Sequence, residues 1–282
     1  MGDEMSSYMC SPACAVGDPG DAVGSEARSP GRTDRYFAEV ADTWVDRYTR
    51  NPSFQERLRA VAGAIEPVLA RSASAWVLDF GGGPGMFSTL CAGRAAFVLN
   101  LEPSVDMLQA GVRCADVMAS VVRQATGADP GESHGVAGSL DVLGPKARER
   151  FDLVLAIAVL EYLEDPSGAV RRLGGLLRPG GAMVLTVPRS RSWARRGERA
   201  LAPLVVRAGA LVGWRRARER AYTRLRPHGD DVPWAAGLTV VDGGDDLQVE
   251  SRRALALAGT LPRSLIRPNE IIIVRKAVPP HP

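Results

Sequence analysis

Residues 76–86 read Trp-Val-Leu-Asp-Phe-Gly-Gly-Gly-Pro-Gly-Met, and this stretch decides the fold. The short apolar run interrupted by Asp79 predicts a buried parallel strand, and the glycines that follow predict a sharp turn into a helix. Glycine has no Cβ, so such a turn allows positive φ angles and lets a ligand approach the backbone closely. The sequence therefore predicts a ligand site at this turn.

Three features of the turn distinguish between nucleotide ligands. The dinucleotide fingerprint needs a third glycine five residues after the first, and Met86 occupies that position. Asp79 is expected to face the mouth of the turn, where a carboxylate repels a pyrophosphate but holds an ammonium or sulfonium group, directly or through water. Glu102 ends the next predicted strand, about 20 residues beyond the first glycine, where an acid accepts hydrogen bonds from ribose hydroxyls. An adenosine ribose, an ammonium and a sulfonium together predict S-adenosylmethionine.

The chain resembles class I S-adenosylmethionine-dependent methyltransferases, in particular the small-molecule group that includes the ubiquinone-biosynthesis type. The resemblance runs from about residue 36 to residue 276 and rests on four motifs in order. They are the glycine loop at 79–85, Leu-Glu-Pro-Ser at 101–104 with Met107 and Leu108, the apolar strand at 151–161, and Leu-Arg-Pro-Gly-Gly at 177–181. A glycine-rich turn alone has a purely structural alternative, whereas the ordered set favours the family.

The predicted core alternates strands with helices. Strands are expected at 76–80, 96–101, 135–140, 151–158, 182–188, 238–242 and 270–276, and core helices at 86–93, 104–123 and 166–177. This alternation predicts right-handed crossovers and helices on both faces of the sheet. The expected fold class is α/β, a Rossmann-like doubly wound and mostly parallel seven-stranded sheet with an N-terminal helical cap and a helical lid insertion. Asp79, Glu102 and Glu161 fall at the carboxyl ends of strands, where such sheets bind ligands.

The chain divides by composition into five segments. They are a disordered tail at 1–33, a helical cap at 34–75, the cofactor-binding core at 76–188, a basic lid at 189–235 and closing strands at 236–282. The tail is rich in Gly, Ser, Pro, Asp and Ala and shows no period.

Composition narrows the functional classes. A formal charge of +3 over 282 residues gives no overall polyanion-binding signature. Cys10 and Cys14 form half of a metal site with no further ligands nearby, so no metal is expected. The four cysteines form no disulfide framework, and the sequence shows no signal peptide or spanning segment. These features predict a cytoplasmic protein.

The resemblance implies which residues contact the cofactor. Ser104 is a good N-cap for the helix after the second strand, and that helix would present Met107 to the adenine unless this side chain faces the core. In the family an acid commonly follows the third strand; here Ser139 takes that place, and Asp141 is the fallback. The implied cofactor-binding set is Asp79, Gly81, Gly82, Gly83, Gly85, Glu102, Pro103, Met107, Ser139, Leu140, Ala156, Ile157 and Tyr48.

The substrate is expected to meet the cap and the lid. In the resembled family, helices before the first strand cover the substrate mouth, so Tyr36 and Trp44 are candidate contacts, with packing on the sheet as the alternative. Between Arg189 and Arg226, twelve arginines are opposed only by Glu198 and Glu219. The apolar spacing across 201–214 predicts an amphipathic lid. The lid also supplies the candidate substrate contacts Trp193 and Trp214.

A cationic lid suits an anionic or hydrophobic small-molecule substrate and is compatible with binding at a membrane surface. The alternative is a solvated arginine face on an ordinary helix. Nucleic acid is not expected as a partner, because no known binding module accompanies the charge. The sequence does not predict an oligomeric state.

The expected reaction is transfer of the sulfonium methyl group to an oxygen, then nitrogen or carbon, of a small molecule in specialised metabolism. His228 is the first candidate for a general base, although the helix usually found before the sixth strand is shortened here to 232–237. Glu161 and Tyr162 follow the fourth strand and would orient the acceptor; for Glu161, capping of the next helix is the alternative. The rivals are an enzyme of the same fold that catalyses cyclisation or rearrangement, and a cofactor-binding scaffold recruited to lipid or a partner.

Overall fold

A computed structural model of the chain describes residues 32–72, 74–188, 247–254 and 269–278. All of them belong to one compact unit. The helices are α1 (Arg32–Trp44), α2 (Asp46–Arg50), α3 (Pro52–Leu69), α4 (Met86–Ala92), α5 (Val105–Arg113), α6 (Ala115–Thr126) and α7 (Pro166–Leu176). The strands are β1 (Trp76–Phe80), β2 (Phe97–Glu102), β3 (His134–Ala137), β4 (Phe151–Ala156), β5 (Leu177–Pro188), β6 (Leu247–Ala254) and β7 (Asn269–Lys276). Single 3₁₀ turns lie at Leu140–Val142, Pro145–Ala147 and Leu160–Tyr162.

The strands form one seven-stranded sheet in the order β3-β2-β1-β4-β5-β7-β6. The first five strands pair in parallel, and β7 runs antiparallel to both β5 and β6. This arrangement confirms the predicted Rossmann-like, mostly parallel sheet. The carboxyl ends of β1, β2 and β4 consequently lie along the same edge, with Asp79 in register with Asn100.

Apolar side chains cover both faces of the sheet. On one face, Val77 belongs to a buried cluster with Leu58 of α3 and Val122 of α6. On the other face, Leu78 belongs to a buried cluster with Leu173 of α7. Helices therefore cover both faces, as the alternation of elements predicts.

The predicted helix 104–123 is two helices in the structure. Cys114 leaves the helical region, at φ −108° and ψ 17°, and separates α5 from α6. α5 packs against α1, whereas α6 packs against α3 and α4. The bend at Cys114 directs the two halves to these different partners. The predicted two cap helices are likewise three, because α2 is separate from α1 and α3.

The prediction for the third strand needs correction, and the prediction for the sixth strand stays a prediction. β3 ends at Ala137 because Gly138 turns the chain with φ 154°, and Leu140 is buried from a 3₁₀ turn rather than from a strand. The predicted strand 238–242 lies outside the described residues. The structure shows a strand that the sequence did not predict, β6 at Leu247–Ala254; only Leu247 and Val249 give it an apolar alternation, and the segment carries charged residues.

Several predicted segments lie outside the described residues: the tail through residue 31, the half-site Cys10 and Cys14, and the lid 189–235. The predicted domain boundaries remain predictions. Among the described residues, none of the helices combines the length and the apolar character that crossing a bilayer requires.

Candidate active site

The glycine loop between β1 and α4 has the backbone conformation that its sequence predicts. Gly81, Gly83 and Gly85 have φ angles of 65°, 59° and 92°. These left-handed values strain residues that carry a side chain. The Gly81 amide donates to the Leu101 carbonyl at 2.8 Å, which ties the start of the loop to β2. The loop therefore offers backbone free of side chains at the carboxyl edge of the sheet.

Glu102 joins the glycine loop to the start of α5. Its Oε2 accepts a hydrogen bond from the Gly83 amide at 2.9 Å, and its Oε1 accepts one from the Ser104 amide at 2.9 Å. Ser104 in turn caps α5 by accepting from the Met107 amide at 3.3 Å, which confirms the predicted N-cap. The carboxylate, 7% exposed, thus lies where the loop, the strand end and the helix start converge.

Asp79 lies beneath the loop, and the expectation that it faces an open mouth is wrong. The residue is 0% exposed, and Ser88 of α4 donates to its Oδ2 at 2.7 Å. A Cβ on Gly82 would lie 2.5 Å from this oxygen, so the loop backbone covers the carboxylate. Burial raises the pKa of Asp79 to about 6; the Ser88 hydrogen bond opposes this rise and the nearby Glu102 adds to it.

Asn100 is a site residue that the sequence analysis missed. Its Nδ2 donates to the Gly83 carbonyl at 3.1 Å, so Asn100 and Glu102 hold the two polar backbone groups of Gly83. The alternation of side chains along a strand places residues 100 and 102 on the same face. Counting back two residues from Glu102 was therefore the sequence signal that indicates Asn100 as a site residue.

Aromatic side chains of α1 lie beside the loop and meet the turn after β4. Trp44 Nε1 is 3.9 Å from the position of a Cβ on Gly83. Phe37 contacts Trp44 and Tyr162 edge to face, with ring centroids 5.5 and 5.1 Å away, and Tyr36 contacts Phe37 at 5.4 Å. The structure therefore brings Tyr36, Trp44 and Tyr162 together. Trp193, Trp214 and His228 lie outside the described residues.

The buried Tyr48 pairs with the half-buried Arg57 next to α4. The Tyr48 ring contacts Phe54 at 5.0 Å and Phe87 at 6.1 Å. Burial raises the pKa of Tyr48 to about 12, against the hydrogen bond and positive charge of Arg57. Within the described residues, the buried Nε of Arg57 has no hydrogen-bond partner. Arg57 was also missed, because an arginine in an amphipathic helix is usually read as solvated.

The end of β4 packs closely on the glycine loop. Ala156 and Ile157 are buried, and Ala158 has a φ of 56°, a strained value for a residue with a side chain. The Ala158 amide donates to Thr186 Oγ1 at 2.7 Å, and a Cβ on Gly81 would collide with Val159. The strained turn is thus fixed by β5 on one side and by the loop on the other.

Glu161 and Tyr162 lie in the 3₁₀ turn after this strained segment. The alternative that Glu161 caps the next helix is wrong, because the N-cap of α7 is Asp165, which accepts from the Gly168 amide at 2.8 Å.

Some of the residues expected around the adenine lie at the surface, and others are buried in the core. Ser139 caps the 3₁₀ turn that begins at Leu140, whereas Asp141 pairs with Arg172 at 2.7 Å. Met107 is buried with Ala41 and Ala110, so it faces the core, the alternative reading of its position. Pro103 is exposed.

These residues fit an adenosyl sulfonium ligand. The left-handed glycines leave a cradle that side chains would fill, and Asp79 has a buried oxygen without a donor among the described residues. Glu102 supplies acceptor oxygens at the converging strand ends. Groups of at least three potential metal-binding side chains do not occur in the described part of the chain.

A sequence profile described as a methyltransferase domain matches residues 52–228. The chain belongs to this methyltransferase family. It is a class I S-adenosylmethionine-dependent methyltransferase, as the glycine loop and the ordered motifs predict.

Curated relatives of this methyltransferase include enzymes with different acceptors. The ubiquinone biosynthesis O-methyltransferase of Parvibaculum lavamentivorans is 25% identical over 210 residues, which cover 71% of this chain and 76% of that protein. The malonyl-[acyl-carrier protein] O-methyltransferase of Pseudescherichia vulneris is 32% identical over 128 residues, 45% of each chain. The tRNA 5-carboxymethoxyuridine methyltransferase of Escherichia coli K12 is 26% identical over 161 residues, 54% of this chain and 56% of that protein. The match to these last two spans about half of their length.

Solved structures share the fold at low sequence identity. The N-methyltransferase NodS from Bradyrhizobium japonicum, in complex with S-adenosyl-L-homocysteine, superposes with a TM-score of 0.53 at 18% identity, over 87% of this chain and 97% of that one. The plantazolicin methyltransferase BamL superposes with a TM-score of 0.56 at 11% identity, over 87% and 96%. These likenesses establish the fold.

Proposed function

We propose that this methyltransferase transfers the methyl group of S-adenosylmethionine to an oxygen of a small molecule in specialised metabolism, with nitrogen and carbon as the next candidates. The observation that carries the proposal is the pair of hydrogen bonds that fixes the Gly83 backbone. The Gly83 amide donates to Glu102, and the Gly83 carbonyl accepts from Asn100. These two hydrogen bonds fix the conformation of the glycine loop before the cofactor binds. Oxygen is favoured because two of the three curated relatives described above are named O-methyltransferases.

In this proposal, each of three charged residues recognises a different part of the cofactor. Glu102 lies at the carboxyl end of β2, the place from which an acid accepts hydrogen bonds from the ribose hydroxyls. Asp79 balances the positive charge from beneath the loop. Arg57, whose Nε lacks a partner among the described residues, binds the carboxylate of the cofactor.

The remaining proposed cofactor contacts come from the loops around these charges. The glycines leave the backbone accessible, and Ser139, Leu140 and Pro103 border the adenine. Ala156 and Ile157 close the side formed by β4, and Tyr48 supports Arg57. The proposed cofactor set is therefore the one predicted from the sequence without Met107, which faces the core, and extended by Arg57.

Bound S-adenosylmethionine supplies a methyl group on a sulfonium, which is already a strong electrophile. The chain then has to exclude water and hold the acceptor in line, which contributes several kcal/mol in well-oriented reactions. Phe37, Trp44 and Tyr162 form an apolar wall suited to excluding water. Glu161 and Tyr162 orient the acceptor, and Tyr36 borders its entrance.

The acceptor is proposed to be anionic or hydrophobic, because the segment 189–235 carries the basic residues of the lid. Trp193 and Trp214 are the proposed lid contacts. The same segment is the proposed site of any contact with a membrane surface, and the proposed location of the enzyme is cytoplasmic.

Product analysis tests the reaction. The protein is incubated with S-adenosylmethionine and fractionated metabolites, and mass spectrometry follows products that gain one methyl group together with S-adenosylhomocysteine. The proposal expects the two products in equal amounts, and both formed more slowly by Glu102→Ala when S-adenosylmethionine is below saturation. An acceptor that rearranges without formation of S-adenosylhomocysteine contradicts methyl transfer.

His228 is proposed as the general base for a hydroxyl acceptor. His228→Ala is expected to lower kcat at pH 7 by about 100-fold, the lower bound for general-base catalysis, and to leave S-adenosylhomocysteine affinity unchanged. His134→Ala is the matched control, since His134 lies on exposed β3 at the far edge of the sheet. Unchanged turnover of His228→Ala across pH 6 to 9 excludes this role.

A further inference from the structure

Two buried oxygen atoms beneath the glycine loop lack a hydrogen-bond donor among the described residues. They are Oδ1 of Asp79 and Oδ1 of Asn100. The two residues are register partners on β1 and β2 and are 0% and 3% exposed. A Cβ on Gly82 would lie 2.5 Å from Oδ1 of Asn100 and also 2.5 Å from Oδ2 of Asp79. The amide and the carboxylate, on register partners of neighbouring strands, therefore both lie beneath Gly82, and each has an oxygen that needs a donor.

The orientation of the Asn100 amide is fixed by its other contact. Its Nδ2 donates to the Gly83 carbonyl at 3.1 Å. A carbonyl oxygen only accepts, so a flipped amide would place two oxygens against each other. The amide nitrogen consequently faces Gly83, and Oδ1 remains on the side of Asp79.

We propose that Asn100 is a positioning residue that keeps a proton on Asp79 in the cofactor-free protein at mildly acidic pH, and that the positive charge of the cofactor displaces this proton. A proton on Asp79 Oδ1 donates to Asn100 Oδ1, while Oδ2 still accepts from Ser88. One proton thus satisfies both buried oxygens. On binding, the proton leaves to solvent and the ionised carboxylate offsets the positive charge of the cofactor across the loop backbone that covers it. This inference rests on the proposed function.

The titratable groups around Asp79 favour its protonated form, whereas the hydrogen bonds from the Ser88 side chain and backbone favour the ionised form and lower the pKa of Asp79. Glu102 on β2 is an acid, and its charge opposes ionisation of Asp79. Tyr48 of α2 and Cys91 of α4 also interact electrostatically with Asp79, and burial raises the pKa of both groups, that of Tyr48 to about 12. Both are therefore neutral near pH 7. None of these three groups offsets a negative charge on Asp79, and burial itself raises the pKa of Asp79 to about 6.

Proton release on binding tests the first half of the proposal. The full-length protein is titrated with S-adenosylmethionine by calorimetry at pH 5.5 and pH 8, each in two buffers of different ionisation enthalpy. We expect release of a substantial fraction of a proton at pH 5.5 and almost none at pH 8, because Asp79 holds its proton mainly at the lower pH. Asp79→Asn should release none of this proton at either pH.

The outcomes separate the two proposals. Binding by the wild-type protein without proton release at pH 5.5 overturns the role of the Asp79 proton and leaves the proposed function standing. Absence of binding at both pH values overturns the proposed function itself. Equal proton release from wild type and Asp79→Asn assigns the proton to another group and overturns the inference.

A double-mutant cycle tests the part played by Asn100. In Asp79→Asn, the new amide donates to Asn100 at every pH, so the variant should unfold at higher urea than wild type at pH 8. In the Asn100→Leu background this gain should disappear, because the acceptor is gone. Additive effects of the two substitutions overturn the pairing.

Infrared spectroscopy tests the protonation of Asp79 without the Asn100→Leu variant, so the result does not depend on whether that variant folds. The wild-type minus Asp79→Asn difference spectrum at pH 5.5, without cofactor, should contain the carbonyl stretch of a hydrogen-bonded carboxylic acid, and this band should vanish at pH 8. A difference spectrum with only carboxylate bands at pH 5.5 overturns the proposal.

Discussion

At the scale of single residues, the site depends on Gly83 and the two β2 side chains that hold it. Glu102 could be predicted from its distance along the chain after the glycine turn. The period of two from Glu102 places Asn100 on the same face of β2, but its role depends on how closely the loop approaches β2 and on the direction of its amide, which the sequence does not show. Asp79 was placed on the correct strand, but its burial follows from the loop folding over it, which spacing does not reveal.

The left-handed backbone of Gly83 gives a direct prediction. Gly83→Ala should lower the free energy of unfolding by about 1 kcal/mol, because an L-residue is strained at a φ of 59°. It should also weaken binding of S-adenosylhomocysteine, measured by calorimetry. Gly63→Ala is the matched control: Gly63 lies inside α3 with no atom within 4 Å of an added Cβ, so this variant should gain about 0.5–1 kcal/mol. Equal effects in urea unfolding would contradict the strained loop.

Asp79 gives a pH dependence of stability. Its pKa rises from 3.8 in the unfolded reference to about 6 in the folded protein, so the folded state holds the extra proton between these values. Stability should therefore fall as pH increases from about 4 to about 6, by about 3 kcal/mol for a shift of roughly two pKa units. Urea unfolding of Asp79→Asn should lack this loss. A wild-type protein that gains stability over that range relative to Asp79→Asn would contradict the buried-acid assignment.

At the scale of elements, the helical segment after β2 is divided into two helices that pack against different partners. α5 packs against α1 and begins at the Ser104 cap beside Glu102, whereas α6 belongs to the core with α3 and α4. The apolar period across 104–123 predicted helix correctly. It did not predict the bend, because both halves keep the same period and the break depends on their partners.

Close contact between α5 and the glycine loop makes Gly111 sensitive. A Cβ at this position would overlap the backbone carbonyl of Pro84. Gly111→Ala should therefore displace the loop, lower stability by about 1–3 kcal/mol and weaken cofactor binding. Gly175→Ala in α7, where an added Cβ meets nothing within 4 Å, should be neutral or stabilising. Thermal unfolding compares the stability of the two variants, and calorimetric titration compares their affinity for the cofactor. A Gly111→Ala variant that binds the cofactor as tightly as the wild-type protein would contradict the close packing of α5 on the loop.

At the scale of the whole molecule, the alternation of elements was sufficient to predict the sheet and the edge that carries the site. Right-handed crossovers fix the parallel core, and the carboxyl ends of β1, β2 and β4 then converge. β6 was not predicted, since it has charged residues and only a short apolar alternation. Specificity for the acceptor depends on side-chain directions in the cap and lid, which periodicity does not determine.

The central claim is that Glu102 and the glycine loop hold S-adenosylmethionine, and calorimetric titration with S-adenosylhomocysteine at pH 8 tests it most directly. The wild-type protein should bind with 1:1 stoichiometry, and Glu102→Ala should raise the Kd at least tenfold, a loss of about 1.4 kcal/mol. Glu132→Ala, at an exposed position after α6, should leave the Kd unchanged. An equal Kd for the wild-type protein and Glu102→Ala, or no binding by the wild-type protein, would contradict the cofactor site described here.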